Sequence, residues 1–438
     1  MNAIKYGVIF YPQTDNLGDH IQTYAAIHQL PHVDYVIDRE NMDLFQSENH
    51  EPVAVLMNGW YMHNKANFIP SSDIYPLCLS MHFSKYDYFD IGYDFLDEEG
   101  GKWLKKFEPI GCRDEASVLA CESRGIQAFF SGCMTLTLPQ PEKTENRGAY
   151  ICAVDLDQKA EGLLRALVGE VPVISVTHTM ADQKELEFQD AMNMVEHYLK
   201  LYGNAKCVLT TRLHCALPCL AMGVPVILVN DAKKDDPLRF SSFLRLLHTV
   251  SPQDLNSGKL SLDLLNPPSN PKQYLSIRED LISRMNHIIQ NDVEIASQEN
   301  GDYAEDRQRK LLWQRKLTNQ MIRTASQKIV FLTKKNAEME DWIKELKTSN
   351  SELTQKNDEI MAWALNSKKE IEALIKRNEE LSEYAKPLEK RIEECSQKNK
   401  ELADWAVNSK EEMEKLMKKN QELFEWAKTL EKRLEELQ

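Results

Sequence analysis

The sequence predicts an α/β protein, two Rossmann-like lobes in series, followed by a long α-helical coiled coil. Three observations carry this. Short β-rich runs alternate with amphipathic helical patterns from the first residues to about 230. The alternation restarts after a Pro/Glu/Asn-rich stretch at 139–147, and the last hundred residues repeat every 21 residues, three heptads at a time. Strand–helix alternation implies parallel sheets with right-handed crossovers. In open sheets of this kind ligands bind beyond the carboxyl ends of the strands, so two lobes facing a cleft are expected to hold the chemistry there.

Candidate strands of the first series are Tyr6–Tyr11, Tyr35–Asp38, Val53–Asn58, Leu77–Met81, Tyr88–Ile91 and Pro109–Cys112. Those of the second are Ala149–Val154, Pro172–Thr177, Lys206–Thr210 and Pro225–Val229, with Gln189–Tyr202 among the helices between them. Each is a short β-rich run between helical patterns. Asn266-Pro-Pro-Ser-Asn-Pro271 closes the second series, and a helix at about 273–290 and a polar linker follow. The expected domains are therefore 1–140, 148–290, a linker or helical neck at 291–321, and the coiled coil at 322–438.

In the tail, Asn336, Asn357, Asn378, Asn399 and Asn420 fall in step, as do Trp342, Trp363, Tyr384, Trp405 and Trp426. A strict heptad multiple demands a left-handed supercoil, hence a partner helix. With Ile343 at a, the asparagines share a with Ile371, Ile392 and Met413, leucines dominate d, and the aromatic column lies at g. Asparagine at a fixes register and favours a parallel dimer, so a homo-oligomer is expected through 322–438. Pro387 predicts a kink. A single solvated helix held by Glu–Lys pairs is the alternative.

A formal charge of −15 argues against nucleic acid as a partner. Nine cysteines are scattered without paired metal spacing; Cys215 and Cys219 lack a second pair, so buried reduced thiols of a cytoplasmic protein and no metal are expected. No signal peptide is evident, since Lys5–Phe10 reads as a first strand, and the longest apolar run, Cys215–Val229, is interrupted by Pro218, Gly223 and Pro225. A cytoplasmic protein, peripheral at most to the inner face of a membrane, is expected.

Three strand-end loops carry candidate chemistry. In Asp15-Asn-Leu-Gly-Asp-His20, Gly18 permits close backbone approach, and Asp19 either caps the following helix or accepts a proton from a substrate hydroxyl. In Gly111-Cys-Arg-Asp-Glu-Ala-Ser117, Asp114 reads as a cap and Arg113 either clamps an anion or pairs with Asp114 or Glu115. In Thr210-Thr-Arg-Leu-His-Cys215, Thr210 or Thr211 caps an apolar helix, which puts Arg212 and His214 in its first turn. Cations are disfavoured at that end of a helix dipole unless an anion is held there. Lys233 and Lys234, after strand Pro225–Val229, reach the same rim, and His178 is a further rim candidate.

Read in order, these pieces resemble the polysaccharide pyruvyl transferase family: Asn16-Leu-Gly-Asp19, Arg113-Asp114 with Ser117, and Arg212-Leu-His214 followed by Gly223-Val-Pro225. The resemblance covers about 1–290 and leaves out the tail. It implies a two-lobed GT-B-like fold and transfer of a pyruvyl group from phosphoenolpyruvate to sugar hydroxyls of a cell-surface polysaccharide or its precursor, as a cyclic ketal. Phosphoenolpyruvate is then donor substrate, a glycan is acceptor, a membrane glycan-assembly complex is a candidate partner, and no cofactor is implied. Arg113, Arg212, Lys233 and Lys234 would hold the donor with Asn16, Gly18 and Thr211. His214 would be the acid and Asp19 the base, or the reverse. Where family members often carry a glycine-rich turn, this chain has Met57-Asn-Gly-Trp-Tyr61, whose aromatics suit a sugar ring. Two alternatives share the pattern, a GT-B-type nucleotide-sugar glycosyltransferase and an inactive coiled-coil scaffold.

Overall fold

The structure is a computed structural model that describes residues 4–85, 91–140, 148–180, 186–230, 237–257, 262–290, 303–373 and 379–436. It divides into two units, Met1–Leu317 and Thr318–Gln438.

The first lobe of unit one runs β1 (Lys5–Phe10), α1 (Leu17–Ile27), β2 (Tyr35–Asp38), β3 (Val53–Leu56), β4 (Trp60–Tyr61), β5 (Ile74–Leu77), β6 (His82–Phe83), α2 (Glu98–Lys105), β7 (Ile110–Cys112), α3 (Glu115–Glu122) and β8 (Ala128–Phe130). Its main sheet has the order β2-β1-β3-β5 and is parallel throughout. Val53–Leu56 is buried along its whole length, as expected of a continuous apolar run inside a parallel sheet. β4 with β6 and β7 with β8 form two further parallel pairs.

The second lobe runs β9 (Ile151–Val154), α4 (Gln158–Val168), β10 (Val173–Val176), α5 (Phe188–Asn204), β11 (Cys207–Thr210), α6 (Leu213–Ala221), β12 (Val226–Val229), α7 (Pro237–Leu244), β13 (His248–Val250), α8 (Pro252–Asn256) and α9 (Tyr274–Gln290). Its sheet, β10-β9-β11-β12-β13, is also all parallel. Two parallel sheets fed by strand–helix crossovers are the two Rossmann-like lobes that the alternation predicts.

The expected strand Leu77–Met81 is instead a break between two strands. Ser80 has φ 57°, outside the extended region. Its backbone N–H and hydroxyl bond to Ser131 Oγ and to the Gly132 carbonyl, at 3.1 and 2.8 Å. The expected strand Tyr88–Ile91 lies almost wholly outside the described residues.

One apolar core joins the lobes. Leu17, Ile21 and Ala25 of α1 share it with Tyr202 of α5 and with Cys215, Ala216 and Leu217 of α6. All nine residues of α6 are buried, so its apolar sequence reflects contact on every side. This core brings the start of α1 against the start of α6. Eight of the nine cysteines are buried free thiols.

Two long helices follow, α10 (Tyr303–Ala373) and α11 (Glu379–Glu436). The beginning of α10 belongs to unit one. Trp313 and Leu317 are buried, Lys310 Nζ donates to the Pro70 carbonyl at 2.7 Å, and Gln314 Nε2 to Asp43 Oδ2 at 3.1 Å. The neck read from the sequence at 291–321 thus docks on the first lobe in its second half. Within unit two, Trp342 of α10 meets Trp405 of α11 edge to face, with centroids 4.6 Å apart. This pair of the repeating aromatics therefore meets within one chain. The kink expected at Pro387 lies among side chains outside the described residues.

Candidate functional site

The site grows from two helix starts. Asn16 caps α1, its Oδ1 accepting the Gly18 N–H at 3.1 Å. Its backbone also bridges Thr179 of the second lobe, and Leu17 N–H donates to the His178 carbonyl at 2.9 Å. Asp19 is therefore not the cap. It lies in the first turn, where Oδ2 accepts from Thr14 Oγ1 at 2.9 Å and pairs with Arg39 at 3.6 Å, while Oδ1 accepts from Gln22 Nε2 at 3.3 Å.

At the second start, the N-cap position of α6 is Arg212 itself, and no side chain caps the helix. Thr210 Oγ1 instead accepts the Arg212 N–H at 3.0 Å, and Thr211 Oγ1 donates to the Asp155 carbonyl at 3.2 Å. Neither threonine plays the capping role that the sequence suggested. Pro218, one turn into α6, has no N–H to offer the His214 carbonyl.

Arg212 is pinned by Nε to Asp155 Oδ2 at 2.7 Å and by Nη2 to Thr179 Oγ1 at 3.0 Å. Asp155 follows β9 in the left-handed region at φ 55°. Burial alone would raise its carboxyl pKa. Hydrogen bonds from Thr177 and the His178 N–H, with the Arg212 guanidinium, outweigh that and hold it below the ordinary value. Arg212 keeps 39% of its side-chain exposure, so it can still meet a ligand at the rim.

Arg113 and His214 meet between the lobes. Arg113, 2% exposed at the end of β7, places Nη1 2.7 Å from Gln22 Oε1 and 3.4 Å from His214 Nε2. Because Gln22 Oε1 accepts from Arg113, its amide nitrogen is the atom that faces His214 Nδ1, at 3.5 Å. Both nitrogens of the imidazole thus face N–H donors. Guanidinium, amide and imidazole converge in a way that a bound anion would relieve. Gly18 makes the approach possible, since a Cβ there would lie 2.9 Å from His214 Cβ and 3.0 Å from Nδ1.

Behind Arg113, Asp114 caps α3 as expected, with Oδ1 accepting from Ser117 N and Oγ, both at 2.9 Å. Its Oδ2 takes His82 Nδ1 at 2.5 Å and lies 3.8 Å from Arg113 Nε. Burial would raise its carboxyl pKa, but His82, Arg113 and the Ser117 N–H bring it down to about 2.

Four residues of this neighbourhood were missed from the sequence: Gln22, Arg39, His82 and Asp155. Arg39, 2% exposed, lies 4.2 Å from the Tyr11 ring centroid and 5.0 Å from that of Trp60. Glu40 shares this charge. Burial opposes its ionisation, but His63, Arg39 and the Asn64 N–H bring its pKa down to about 2. The available signal was position, for Arg39, His82 and Asp155 each follow or open a strand at the rim. Gln22 gave none, as a glutamine one turn into a helix is unremarked.

The sequence candidates therefore group as follows. Gly18, Asp19, Arg113 and His214 come together with Gln22. Asn16, Thr211 and Arg212 form the adjoining stretch through Thr179 and Asp155, with no direct bond from Arg212 to Arg113 or His214 among the described contacts. Lys233 and Lys234 lie outside the described residues. His178 is buried, its Nε2 bonded to Tyr202 Oη at 2.6 Å, a structural placement. Among the described residues, no cluster of three or more His, Cys, Asp or Glu could hold a metal, and no helix is long and apolar enough to cross a membrane.

Three solved structures are similar to the chain at low identity. A functionally uncharacterized protein from Klebsiella pneumoniae is 14% identical, covering 57% of this chain and 92% of its own, with a TM-score of 0.36. A putative UDP-N-acetylglucosamine 2-epimerase from Listeria monocytogenes is 11% identical, covering 68% and 99%, with a TM-score of 0.35. The E. coli heptosyltransferase WaaC with ADP is 9% identical, covering 67% and 99%, with a TM-score of 0.25. No curated protein matches the chain. The family model described as polysaccharide pyruvyl transferase matches residues 16–231, a span that opens on Asn16 and contains Arg113, Arg212 and His214. Residues 16–231 belong to the polysaccharide pyruvyl transferase family.

Proposed function

We propose that the chain transfers the pyruvyl group of phosphoenolpyruvate to two hydroxyls of a sugar in a cell-surface polysaccharide or its precursor, giving a cyclic ketal and inorganic phosphate. One observation carries this reading. Arg113 from the first lobe and His214 from the second lie 3.4 Å apart beside Gln22, inside the segment that matches the family.

The donor carries a carboxylate and a phosphate, and the site offers matching cations at different depths. Arg113 is buried and takes one anionic group; Arg212, held at the rim by Asp155 and Thr179, takes the other. Lys233 and Lys234, read from the sequence as further donor cations, lie outside the described residues, and Asn16, Gly18 and Thr211 line the approach. The abutting starts of α1 and α6 add backbone N–H groups to the same field. His214 gives a proton to the methylene carbon, which makes C2 electrophilic. Asp19, in the first turn of α1, is the group read from the sequence as the acceptor of the hydroxyl proton. Trp60 and Tyr11 offer ring faces to the acceptor sugar. The route asks for no metal or organic cofactor, because the donor brings its own leaving group.

The repeats at 322–438 are read as a homotypic parallel dimer. It would present two such sites in the cytoplasm, peripherally, to a membrane glycan-assembly complex. The transfer itself is tested by incubating the full chain with phosphoenolpyruvate and candidate glycans. A phosphate-releasing reaction that adds one pyruvyl ketal to the glycan supports it. Binding of UDP-sugars with no reaction of phosphoenolpyruvate would favour a glycosyltransferase instead.

A further inference from the structure

Resting on the pyruvyl-transfer reading, we propose that Gln22 is the positioning residue of the donor site, a neutral amide that aims Arg113 without neutralising it and stands between that guanidinium and Asp19. Gln22 lies in the second turn of α1 and is 4% exposed. Its main-chain carbonyl accepts from Asn58 Nδ2, two residues beyond β3, at 2.8 Å. Its side chain meets Arg113 at the end of β7 and faces His214 at the start of α6. One buried residue of α1 is thus tied to two strand ends of its own lobe and faces a helix start of the other.

The amide can sit only one way round. Arg113 Nη1 lies 2.7 Å from one end of it and can only donate, so that end is Oε1. The other end faces Asp19 Oδ1 at 3.3 Å and the Gly18 carbonyl at 3.4 Å, both acceptors, so it is Nε2. Turning the group over would set N–H against guanidinium and oxygen against carboxylate, and every one of these bonds would be lost. The orientation therefore follows from Arg113, Asp19 and Gly18, whatever the tautomer of His214, whose Nδ1 lies 3.5 Å from the same nitrogen.

Neutrality is the functional part. A buried guanidinium needs acceptors, and a carboxylate is a stronger one than an amide oxygen. Asp114 already borders the guanidinium, 3.8 Å from Nε. A second carboxylate at Nη1 would leave a net negative charge where a dianionic donor has to bind, in an interior that screens charge poorly. The carboxamide oxygen orients the fork and leaves its positive charge to the ligand. On its other side the same amide donates to Asp19, which finds its charge partner in Arg39 at 3.6 Å. Donor cation and acceptor-side carboxylate are thereby held one amide group apart, each with its charge kept for its own substrate.

The test uses the full chain. Phosphoenolpyruvate binding is measured by calorimetry, and phosphate release with a panel of methyl hexopyranosides and bacterial glycan fragments, at about pH 8 so that a carboxylate at this position is ionised. Gln22→Glu keeps the size and the acceptor facing Arg113 but adds the charge. It is expected to weaken phosphoenolpyruvate binding by about ten-fold or more, with the acceptor KM within about three-fold of wild type. Gln22→Leu removes the bonds, and is expected to lower kcat/KM for phosphoenolpyruvate by about ten-fold. A residue that acts through Arg113 has little left to position once the planar fork is gone. In the Arg113→Lys background Q22L is therefore expected to cost less than about three-fold. A glutamine that served only the fold would lower the melting temperature and cost the same factor in both backgrounds.

Phosphoenolpyruvate binding by Q22E within about three-fold of wild type, or equal losses from Q22L in both backgrounds, overturns the role of Gln22 alone. If only one variant folds, that variant decides. If neither folds, Gln22 serves the fold rather than the site and the proposal falls. A wild-type chain that neither binds phosphoenolpyruvate nor releases phosphate with any acceptor overturns the transfer reading itself.

Discussion

Arg113 Nη1 lies 3.4 Å from His214 Nε2, although 101 residues and two separate sheets divide them. The contact exists because α1 and α6 share one apolar core and because Gln22 Oε1 steers the guanidinium at 2.7 Å. Arg113→Lys keeps the charge but loses the planar fork that reaches Gln22 and an anion together. It is expected to lower kcat/KM for phosphoenolpyruvate by about 10- to 100-fold, on the order of 1.4–2.8 kcal/mol of transition-state binding. Steady-state phosphate release checks this, and a variant equal to wild type would remove Arg113 from the donor site.

Gly18 sets the distance between the helix starts. An added methyl would lie 2.9 Å from His214 Cβ, within the core of the site. Gly18→Ala is expected to cost about 1–3 kcal/mol of stability and about ten-fold or more in kcat. Thermal melts and phosphate release, measured on the same sample, separate the two effects.

Two buried histidines set an acid limit on the fold. His20 is stacked on Phe10, and among the described residues neither of its nitrogens has a hydrogen-bond partner. Burial lowers its pKa from 6.5 to about 4, Asp19 opposing and Arg39 adding to the effect. Burial likewise brings His178 down to about 4. A lowered folded-state pKa means that unfolded chains bind the proton first. The stability these histidines contribute is complete above pH 6.5 and is lost as pH falls through about 4. Asp114 and Glu40, both about 2 when folded, add their losses below their ordinary 3.8 and 4.5. Between pH 6.5 and 4.5 the histidines therefore dominate these four groups, at up to about 1.4 kcal/mol per pH unit each. His20→Leu is expected to flatten the stability–pH curve in that window, as measured by urea unfolding at several pH values.

The fold boundary at Leu317 is also testable. A fragment ending there retains Trp313 and Leu317, 4% and 3% exposed, and the Lys310 and Gln314 bonds to the first lobe. A 1–300 fragment uncovers that surface. It is expected to melt lower by about 2–4 °C for each kcal/mol of packing lost, whereas 1–317 should match unit one of the full chain. Sedimentation of the same samples tests the proposed dimer, which predicts two chains for full length and one for 1–317.

Much of this was legible in the sequence. The second lobe's strands and a helix start near Arg212-Leu-His214 follow from local periodicity and turn chemistry, and the structure has β9 to β12 and α6 there, with Arg212 as the cap of α6 rather than in its first turn. What the sequence hid depends on contacts across the chain. Gln22 matters because Arg113 reaches it from 91 positions away. His82 matters because the chain breaks at Ser80 and presents it to Asp114. Arg212 takes the cap position because Asp155 and Thr179 hold its side chain out of the helix. Asp19 looked like a free acid because the sequence gives no sign that Arg39 folds back onto it. None of these is a local rule, so periodicity could not reveal them.

The central claim is that Arg113 and His214 together hold and protonate phosphoenolpyruvate. The most direct measurement is phosphate release from phosphoenolpyruvate by wild type and by His214→Ala, with the glycan product weighed by mass spectrometry. The account predicts one pyruvyl ketal per modified sugar with wild type and, with H214A, no product at an unchanged melting temperature. Undiminished ketal formation by a folded H214A chain would contradict it.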